Sequence, residues 1–188
     1  MKQQTYRLFS AGDGRAAFFW TTGQTDSVVA IGDFHYGIAA PKFTNKTSGG
    51  ANGVQSGMVD TDFPIFRLAD AYLIYAEANL RGGGGDATTA LNYVNALRTR
   101  AYGSTSGNIT SGQLTLDFIL AERGRELMFE AQRRTDLVRY DMFSSGTYLW
   151  AWKNGVAGGA ALATGRDLYP LPANDLVANP NLVQNPGY

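Results

Sequence analysis

Helical periodicity between residues 63 and 143 is the feature that most constrains the fold of this chain. After Pro64, apolar residues recur at the spacing that places them on one face of a helix. Pro64 suits the first helical position, because its missing N–H would be unpaired there in any case. The glycines from Gly82 to Gly85 predict the end of this helix. Its predicted apolar face consists of Ile65, Leu68, Ala69, Tyr72, Ala76 and Leu80.

A second helix is predicted directly after the glycines. It begins near Asp86 or Thr88 and ends at Gly103, since glycine readily adopts the left-handed conformation that closes a helix. The resulting hairpin, 65–101, has tetratricopeptide-like dimensions, although the WxxLGxxY signature is absent. One hairpin cannot bury its own apolar face, so we expect it to pack against a third helix or against residues outside this chain. The apolar side of the second helix is Ala87, Ala90, Leu91, Val94, Leu97 and Ala101.

A long third helix is predicted from 116 to about 140. Thr115 is its expected N-cap, because a threonine side chain can accept a hydrogen bond from an otherwise unpaired N–H of the first turn. Leu114 before the cap and Ile119 after it are placed for a hydrophobic staple.

The segments on either side of the helices are predicted to be rich in loops. Residues 15–22 and 27–31 have the alternation or β-branched content of short strands, and 44–57 has the composition of a loop. Near the end of the chain, 173–178 suits one short helical turn. The expected fold is mostly α with long loops and a few short strands. Its divisions are a loop and strand segment (1–62), a helical core (63–143) and a loop-rich segment (144–188).

The composition excludes several classes of function. The 16 Lys plus Arg residues balance 16 Asp plus Glu residues, so the chain lacks the positive charge of nucleic-acid-binding proteins. The absence of cysteine excludes disulfides, thiolate catalysis and cysteine-ligated metals. His35 is the only histidine, and a packing or hydrogen-bonding role is expected for it rather than metal binding. We therefore predict neither a metal nor a cofactor.

Two local patterns that can indicate catalysis have simpler explanations here. The glycines of GGGGDATT (82–89) follow a helix and no lysine comes after them, whereas a phosphate-binding loop follows a strand and usually carries a lysine. A helix–helix turn is the prediction for this stretch. Serines occur without a GxSxG motif, and a Ser–His–Asp triad could use only His35. No enzyme is expected. The apolar runs, such as 16–20 and 28–31, are too short to span a membrane.

The densest charge of the chain lies between residues 122 and 139. Glu122, Glu126 and Glu130 stand four residues apart and would repel one another on a helix if they were unpaired. One interpretation is a pair of carboxylates for acid–base chemistry; the other is a structural ion-pair network. We favour the network, because surplus arginine keeps carboxylates ionised. Its predicted members are Glu122, Arg123, Arg125, Glu126, Glu130, Arg133 and Arg134.

Aromatic residues outside the predicted helices are the remaining functional candidates. Flat rings on loops suit the faces of sugars, through stacking and C–H contacts. The same rings also serve to bury a glycine-rich loop on a core, and core packing is the commoner role for any single ring. The rings in question are Trp20, Phe34, Tyr36, Tyr148, Trp150 and Trp152.

Several stretches together resemble one family, the SusD/RagB outer-membrane nutrient-binding lipoproteins. The similarity extends over roughly residues 12–188, in the order and spacing of the family. The stretches are GDGRAAFFW (12–20), APKF (40–43), FPIFRLADAYLIYAEANLR (63–81), ALNYVNALRTRA (90–101), LTLDFILAERGRELMFEAQRRTDLVRYDMF (114–143) and LYPLPANDLVANPNLVQNPGY (168–188).

The resemblance implies a function that composition does not indicate. Members of this family are lipid-anchored on the outer face of the outer membrane of Bacteroidetes-type bacteria, and they capture glycans or, in some members, peptides. They cap a SusC-type TonB-dependent transporter, are not enzymes, and have tetratricopeptide-like helix pairs as a scaffold. On this basis Trp20, Phe34 and Tyr36 are the candidate ligand-binding residues, and the charged third helix belongs to the scaffold.

The chain departs from the family in its length. It is far shorter than family members, so we expect a C-terminal portion without signal peptide, lipidated cysteine or most of the scaffold helices. Two alternatives stay open. The chain could be a helical scaffold fragment that contacts the transporter or binds peptides rather than glycans. A glycoside hydrolase would need two carboxylates that face a cleft about 5–10 Å apart.

Overall fold

Six α-helices and a set of short 3₁₀ turns account for the regular structure in the computed structural model, which describes residues 1–54 and 57–188. Backbone pairing between extended segments in these residues is limited to isolated bridges, so the mostly α fold with long loops is confirmed. The chain divides into two units, Met1–Arg133 and Arg134–Tyr188. The helices are α1 (Gln3–Tyr6), α2 (Leu68–Leu80), α3 (Ala87–Tyr102), α4 (Leu116–Glu126), α5 (Arg133–Arg139) and α6 (Ala173–Ala178).

Helices α2 and α3 form the predicted hairpin, and the expected signals close both ends of α3. The Asp86 carboxylate accepts a hydrogen bond from the Thr89 N–H at 2.6 Å, which caps the first turn. Gly103 follows the last turn in the left-handed conformation, with φ of 65°. The glycine segment 82–85 is the turn between the two helices, as predicted.

The start of α2 differs from the prediction, and Pro64 does not begin it. The helix starts at Leu68, after Arg67 in an extended conformation with φ of −150°. Leu68 is 64% exposed and Ile65 is 67% exposed, so the predicted apolar face is wrong at its beginning. The extended backbone at residue 67 lets its guanidinium leave the helix and reach carboxylates elsewhere in the unit, as described below.

The core of the first unit lies between α2, α3 and α4. Leu73 on α2 and Val94 on α3 are fully buried there, and Ile119 on α4 packs in the same cluster. Leu114 belongs to it as well, and Thr115 caps α4 by accepting a hydrogen bond from the Phe118 N–H at 3.2 Å. The hairpin therefore buries one face against the third helical segment. The buried members are Ala69, Leu73, Ala76, Ala90, Val94, Leu97, Ile109, Leu114 and Ile119.

The long third helix predicted over 116–140 is wrong, because two helices with a break replace it. Helix α4 ends at Glu126 and α5 begins at Arg133. Within the break, Phe129 has φ of 62° and Ala131 has φ of 58°, values in the left-handed region that no α-helix contains. The break frees carbonyl groups at the end of α4, and these accept hydrogen bonds from cationic side chains, which compensates for the lost helical bonds.

The two predicted strands are also wrong. Residues Gly14–Ala16 form a 3₁₀ turn that Asp13 caps by accepting from the Arg15 N–H at 3.1 Å. Trp20 makes a single bridge, to Ala39, and 27–31 contains none. The side chain of Arg15 extends from this turn to the buried carboxylates of Glu122 and Glu126, and these contacts stabilise the turn rather than a strand. The predicted loop 44–57 is irregular apart from a bridge between Lys46 and Asn52, and its residues 55 and 56 lie outside the described residues.

The second unit is irregular and is organised around Lys153, whose side chain is buried. The Lys153 ammonium donates to the carbonyls of Ser145 at 2.9 Å and Tyr148 at 2.8 Å, and it lies 4.5 Å from the centre of the Trp150 ring. Burial lowers the pKa of Lys153, and the charge of Asp167 offsets part of that effect. The predicted helical turn at 173–178 is confirmed as α6. Throughout the described part of the chain, every helix falls short of the length or the apolar character that crossing a bilayer requires.

Candidate functional site

Glu126, the last residue of α4, lies at the centre of a buried group of charges in the first unit. Its Oε1 accepts from Arg67 Nη1 and Arg100 Nη2, each at 2.6 Å, and its Oε2 accepts from Arg15 Nη1 at 2.9 Å. Glu126 itself is 3% exposed. Three guanidinium groups from three different parts of the chain therefore neutralise one carboxylate, in charge-assisted hydrogen bonds.

Glu122, one turn earlier on α4, forms a second centre that shares Arg15 with the first. Arg15 Nη1 donates to Glu122 Oε1 at 2.8 Å, while Arg98 Nη1 and Arg125 Nη2 donate to Oε2 at 2.8 and 2.6 Å. The remaining donors of Arg15 bind Asp13, with Nη2 at 2.7 Å from Oδ2. Arg15 therefore connects a loop near the start of the chain to two turns of α4.

Glu130 lies in the break after α4 and completes the group. It accepts from Arg67 Nε at 2.6 Å and from the Lys42 ammonium. Lys42 also donates to the carbonyls of Glu126 at 3.1 Å and Met128 at 2.8 Å. We call Asp13, Glu122, Glu126 and Glu130 with their basic partners the carboxylate cluster.

Three carboxylates of the cluster, Asp13, Glu122 and Glu126, have lowered pKa values and are held in the ionised form. Burial by itself would raise the pKa of Glu126, but hydrogen bonds from Arg100 and Arg67 outweigh it and lower that pKa to about 2. The charges of Arg125 and Arg15 similarly outweigh burial at Glu122 and lower its pKa. A general acid needs a raised pKa, so these carboxylates are unsuited to the acid role of a glycoside hydrolase.

The predicted members of the ion-pair network do not all bind one another. Arg123 pairs with Asp70 on α2, with Nη1 at 2.7 Å from Oδ1. Arg133 donates to the Leu120 carbonyl at 2.7 Å. Arg134 belongs to the second unit, where its Nη2 donates to the Arg166 carbonyl at 2.9 Å. The structure thus brings Glu122, Arg125, Glu126 and Glu130 together, and gives Arg123, Arg133 and Arg134 other partners.

Sequence reasoning missed most of the basic partners, because they are remote from α4. Arg15 is 111 positions from Glu126, and Lys42 is 88 positions from Glu130. One available signal was that Arg15, Lys42 and Arg67 all fall inside the short stretches that carry the family resemblance. The missed members of the cluster are Asp13, Arg15, Lys42, Arg67, Arg98 and Arg100.

The candidate ligand-binding rings lie on the loops of the first unit. Phe34 is 76% exposed, and together with the half-buried Tyr36 it lines a depression of about 380 Å³. Polar groups of Gln24 and Asp33 share that depression, and the Gln24 amide donates to the Phe34 carbonyl at 2.9 Å. This combination of flat rings and hydrogen-bonding groups is chemically suited to a sugar.

Trp20 lies beside this depression rather than among its lining residues. Its indole is exposed, and its backbone N–H donates at 2.8 Å to the carbonyl of Ala39, which does line the depression. The indole Nε1 donates to the Thr22 carbonyl at 3.0 Å, so the ring is held by its own loop. The structure therefore groups Phe34 and Tyr36 directly and Trp20 through the backbone of Ala39.

The other candidate groups have local structural contacts. His35 is exposed, and its Nδ1 lies 2.8 Å from Asp33 Oδ1, in keeping with the expected hydrogen-bonding role. Trp150 packs in the second unit against Phe143, with ring centres 6.3 Å apart, and against Tyr148 at 5.8 Å. In the described residues, no grouping of His, Asp and Glu has a composition and placement suited to holding a metal ion.

Comparison with known proteins places this architecture in a family. The family model for SusD matches residues 12–188, nearly the whole chain. The chain belongs to the SusD family. It is 40% identical over 185 residues to the starch-binding protein SusD of Bacteroides thetaiotaomicron, which covers 95% of this chain and 32% of that protein.

Solved structures of the family have the same fold. Surface glycan-binding protein A from Bacteroides uniformis is 26% identical, with a TM-score of 0.63, over 98% of this chain and 40% of that one. The protein of the same name from Bacteroides fluxus is 25% identical, with a TM-score of 0.66, over 100% of this chain and 40% of that one. This SusD-family chain spans about a third of the length of the curated relative named above.

Proposed function

We propose that this SusD-family protein is a non-catalytic glycan-binding component of a TonB-dependent outer-membrane nutrient uptake system. Trp20, Phe34 and Tyr36 bind the glycan in this proposal. The rings of Phe34 and Tyr36 stack on sugar faces, while Gln24 and Asp33 orient hydroxyl groups at the edge of the depression. The observation that carries the proposal is an open depression lined by rings and polar side chains, in a chain 40% identical to a starch-binding protein.

The depression has dimensions and chemistry suited to part of a glycan chain. A volume of about 380 Å³ lies at the lower end of the range usual for small-molecule sites. The open form of a surface depression suits a polymer that enters and leaves from the side. Because arginines lower the pKa of Glu122 and Glu126, these carboxylates do not supply the general acid that glycoside hydrolysis needs, and the proposal assigns binding alone.

Isothermal titration of the chain with soluble starch, other polysaccharides and peptides tests this proposal, with a full-length SusD-family relative in parallel. The triple variant W20A/F34A/Y36A is expected to lose at least about tenfold in affinity, because it removes all the rings assigned to the sugar faces, and stacking of a nucleic-acid base on one ring is already worth about 1–3 kcal/mol. The matched control is F66A, which removes another exposed ring outside the depression. Equal binding by the triple variant and the control would contradict the assignment of these rings.

The transporter and the location form the second part of the proposal. We propose that the full-length protein lies at the cell surface on the outer membrane and delivers its ligand to a SusC-type transporter, as the family resemblance implies. Affinity purification of the full-length protein from outer membranes, followed by mass spectrometry, is expected to recover a TonB-dependent transporter in a stoichiometric complex. Recovery of the protein without any such transporter would count against this part alone.

The alternative function is a helical scaffold that contacts other protein segments. The exposed apolar residues around the start of α2, Ile65, Phe66 and Leu68, support it, since large apolar side chains on a surface often mark protein contacts. Titration distinguishes the two functions. An absence of glycan binding by the intact, folded chain would favour the scaffold, whereas unchanged glycan binding in W20A/F34A/Y36A would remove only the assignment of these three rings.

A further inference from the structure

The carboxylate cluster carries more positive than negative charge. Among the described residues, its ion pairs join four carboxylates to six basic side chains, a formal surplus of two positive charges. A buried charge is normally neutralised by a partner, so a surplus of this kind calls for further anions or for contact with water. The six are Arg15, Lys42, Arg67, Arg98, Arg100 and Arg125.

The surplus faces an open depression of about 280 Å³. Five of the six basic residues line it, whereas Glu126 and Glu130 are the acidic residues in its lining. Its most accessible cation is Arg100, whose side chain is 56% exposed. Within the described residues, the Arg100 guanidinium makes its hydrogen bond through Nη2, to Glu126. Its other N–H groups are therefore available to a new acceptor.

A second depression, of about 320 Å³, adjoins the first; its exposed wall is largely apolar, although Thr44, Asn45, Thr61 and Asp62 also line it. Phe43 and Pro64 line both, so the two share a wall. Val59 and Phe63 complete the apolar side, and they are 74% and 56% exposed. Phe66, three positions after Phe63 in the chain, is a further exposed ring, at 90%. A cationic depression and an apolar depression thus lie side by side on the first unit.

We propose that these two adjoining depressions are a docking surface for a polypeptide segment that places an Asp or Glu carboxylate against Arg100 and a nearby apolar side chain against Phe43 and Phe63. Charge complementarity selects the acidic residue, because a carboxylate would neutralise part of the surplus and could accept two N–H bonds from one guanidinium. The second depression selects the second residue, because Phe43 and Phe63 offer apolar contact to a side chain.

A polypeptide fits this surface better than a glycan does. Sugars present hydroxyl groups on every edge and need polar partners. The wall of Phe43, Val59, Phe63 and Pro64 supplies apolar contact instead, and of the polar residues beside it Asn45 and Thr61 already donate to the Met58 and Thr44 carbonyls. A polypeptide segment can present an acidic side chain to the cationic depression and an apolar side chain, a few residues away, to the adjoining depression. This surface is distinct from the depression lined by Phe34 and Tyr36, so its test is independent of the proposed glycan site.

Fluorescence anisotropy with short labelled peptides tests the proposal on the chain itself. The probes are peptides of about ten residues in a Gly/Ser background, with one Glu followed by Leu after one to four positions, and matched peptides with Gln in place of Glu. At least one Glu peptide is expected to bind about fivefold more tightly than its Gln counterpart, which corresponds to an ion pair worth about 1 kcal/mol. The difference is expected to shrink as NaCl is raised.

Variants of the chain locate the binding site. R100Q is expected to abolish the preference for Glu over Gln, and F63A to weaken both peptides by about fivefold or more. R7Q is the control, since it removes an arginine from an exposed ion pair with Asp26. Because the comparison between Glu and Gln peptides uses one unchanged protein, it stands even if a variant fails to fold.

Four outcomes of the peptide experiments would overturn the proposal. They are equal binding of Glu and Gln peptides, a Glu preference that R100Q leaves intact, no peptide binding up to about 1 mM, and displacement of the peptide by a sulfated or uronate oligosaccharide at lower concentration. A concentration-dependent dimer that R100Q or F63A dissociates would assign the surface to a second copy of the chain, which also overturns the proposal.

Discussion

The guanidinium of Arg67 binds Glu126 twice, at the side-chain carboxylate and at the backbone carbonyl of Glu126. Nη1 of Arg67 donates to the Glu126 carboxylate Oε1 at 2.6 Å, and Nη2 donates to the Glu126 backbone carbonyl at 2.6 Å. The same guanidinium therefore neutralises the carboxylate and satisfies a carbonyl freed where α4 ends. Removal of Arg67 would leave both groups without this partner.

The first prediction concerns the stability that Arg67 provides. We expect R67A to lower the free energy of unfolding by about 2–4 kcal/mol, because it leaves a buried carboxylate partly uncompensated. The control R7A removes an exposed ion pair with Asp26 and is expected to cost less than about 1 kcal/mol. Urea denaturation followed by circular dichroism measures both. Equal losses in R67A and R7A would show that the cluster contributes no more than a surface pair.

The second prediction concerns pH. The pKa of Glu126 is lowered from 4.5 to about 2 in the folded chain, so the folded state favours the ionised form. The resulting stability is fully present above the unfolded pKa and is lost as pH falls from about 4.5 to about 2; for this one group it amounts to about 3 kcal/mol. The lowered pKa values of Asp13 and Glu122 act in the same direction.

Urea denaturation at several pH values between 2 and 7 measures this dependence. The variant E126Q cannot titrate at this position, so we expect a smaller change in its free energy of unfolding over the acidic range, together with lower stability at pH 7. A wild-type stability that stays constant from pH 4.5 to pH 2.5, or an identical slope in E126Q, would be incompatible with the lowered pKa.

The third prediction compares two neighbouring residues on α2. Leu73 has no exposed surface, whereas Ile74 is 53% exposed. We expect L73A to destabilise the first unit by about 3 kcal/mol, because it opens a cavity between the helices. I74A is expected to cost less than about 1 kcal/mol, since its side chain is already half in solvent. Thermal or urea unfolding measures the difference, and similar costs at both positions would contradict the orientation of α2.

The fourth prediction concerns Lys153 in the second unit. K153M keeps the volume but removes the N–H donors that bind the Ser145 and Tyr148 carbonyls. We expect amide hydrogen exchange in residues 142–150 to accelerate by about tenfold, equivalent to about 1.4 kcal/mol of lost local stability. The control K46M replaces an exposed lysine in the first unit. Unchanged protection of 142–150 in K153M would show that the loop does not depend on this ammonium group.

The helices that could be predicted from the sequence are those whose ends carry local signals. Asp86 and Gly103 bound α3, and Thr115 begins α4, because each of these residues acts on backbone groups within one turn. The start of α2 was misplaced, since Pro64 is a permissive residue at a helix start and does not by itself initiate one. The sequence also indicated the candidate rings, as aromatic residues on loops. It did not indicate that they lie around one depression.

Residues 127–132, the break between α4 and α5, could not be predicted from the sequence. Their composition is compatible with a continuous helix, and a helix through Glu130 would have satisfied the same local rules. Lys42 and Arg67, which lie 88 and 63 positions from Glu130, bind its carboxylate. They also bind the carbonyl of Glu126 that the end of α4 frees, and these contacts stabilise the break. Helix propensity and capping depend on residues a few positions apart, whereas these contacts depend on the packing of the whole unit.

By itself, then, the sequence determined the helical hairpin, the caps, the loop-rich flanks and membership of the SusD family, because these follow from local patterns and from ordered motifs. The tertiary structure alone decided which basic residues neutralise Glu122, Glu126 and Glu130, and where the third helix stops. The reason is physical: a carboxylate is satisfied by any guanidinium brought within about 3 Å, and folding determines which one arrives there.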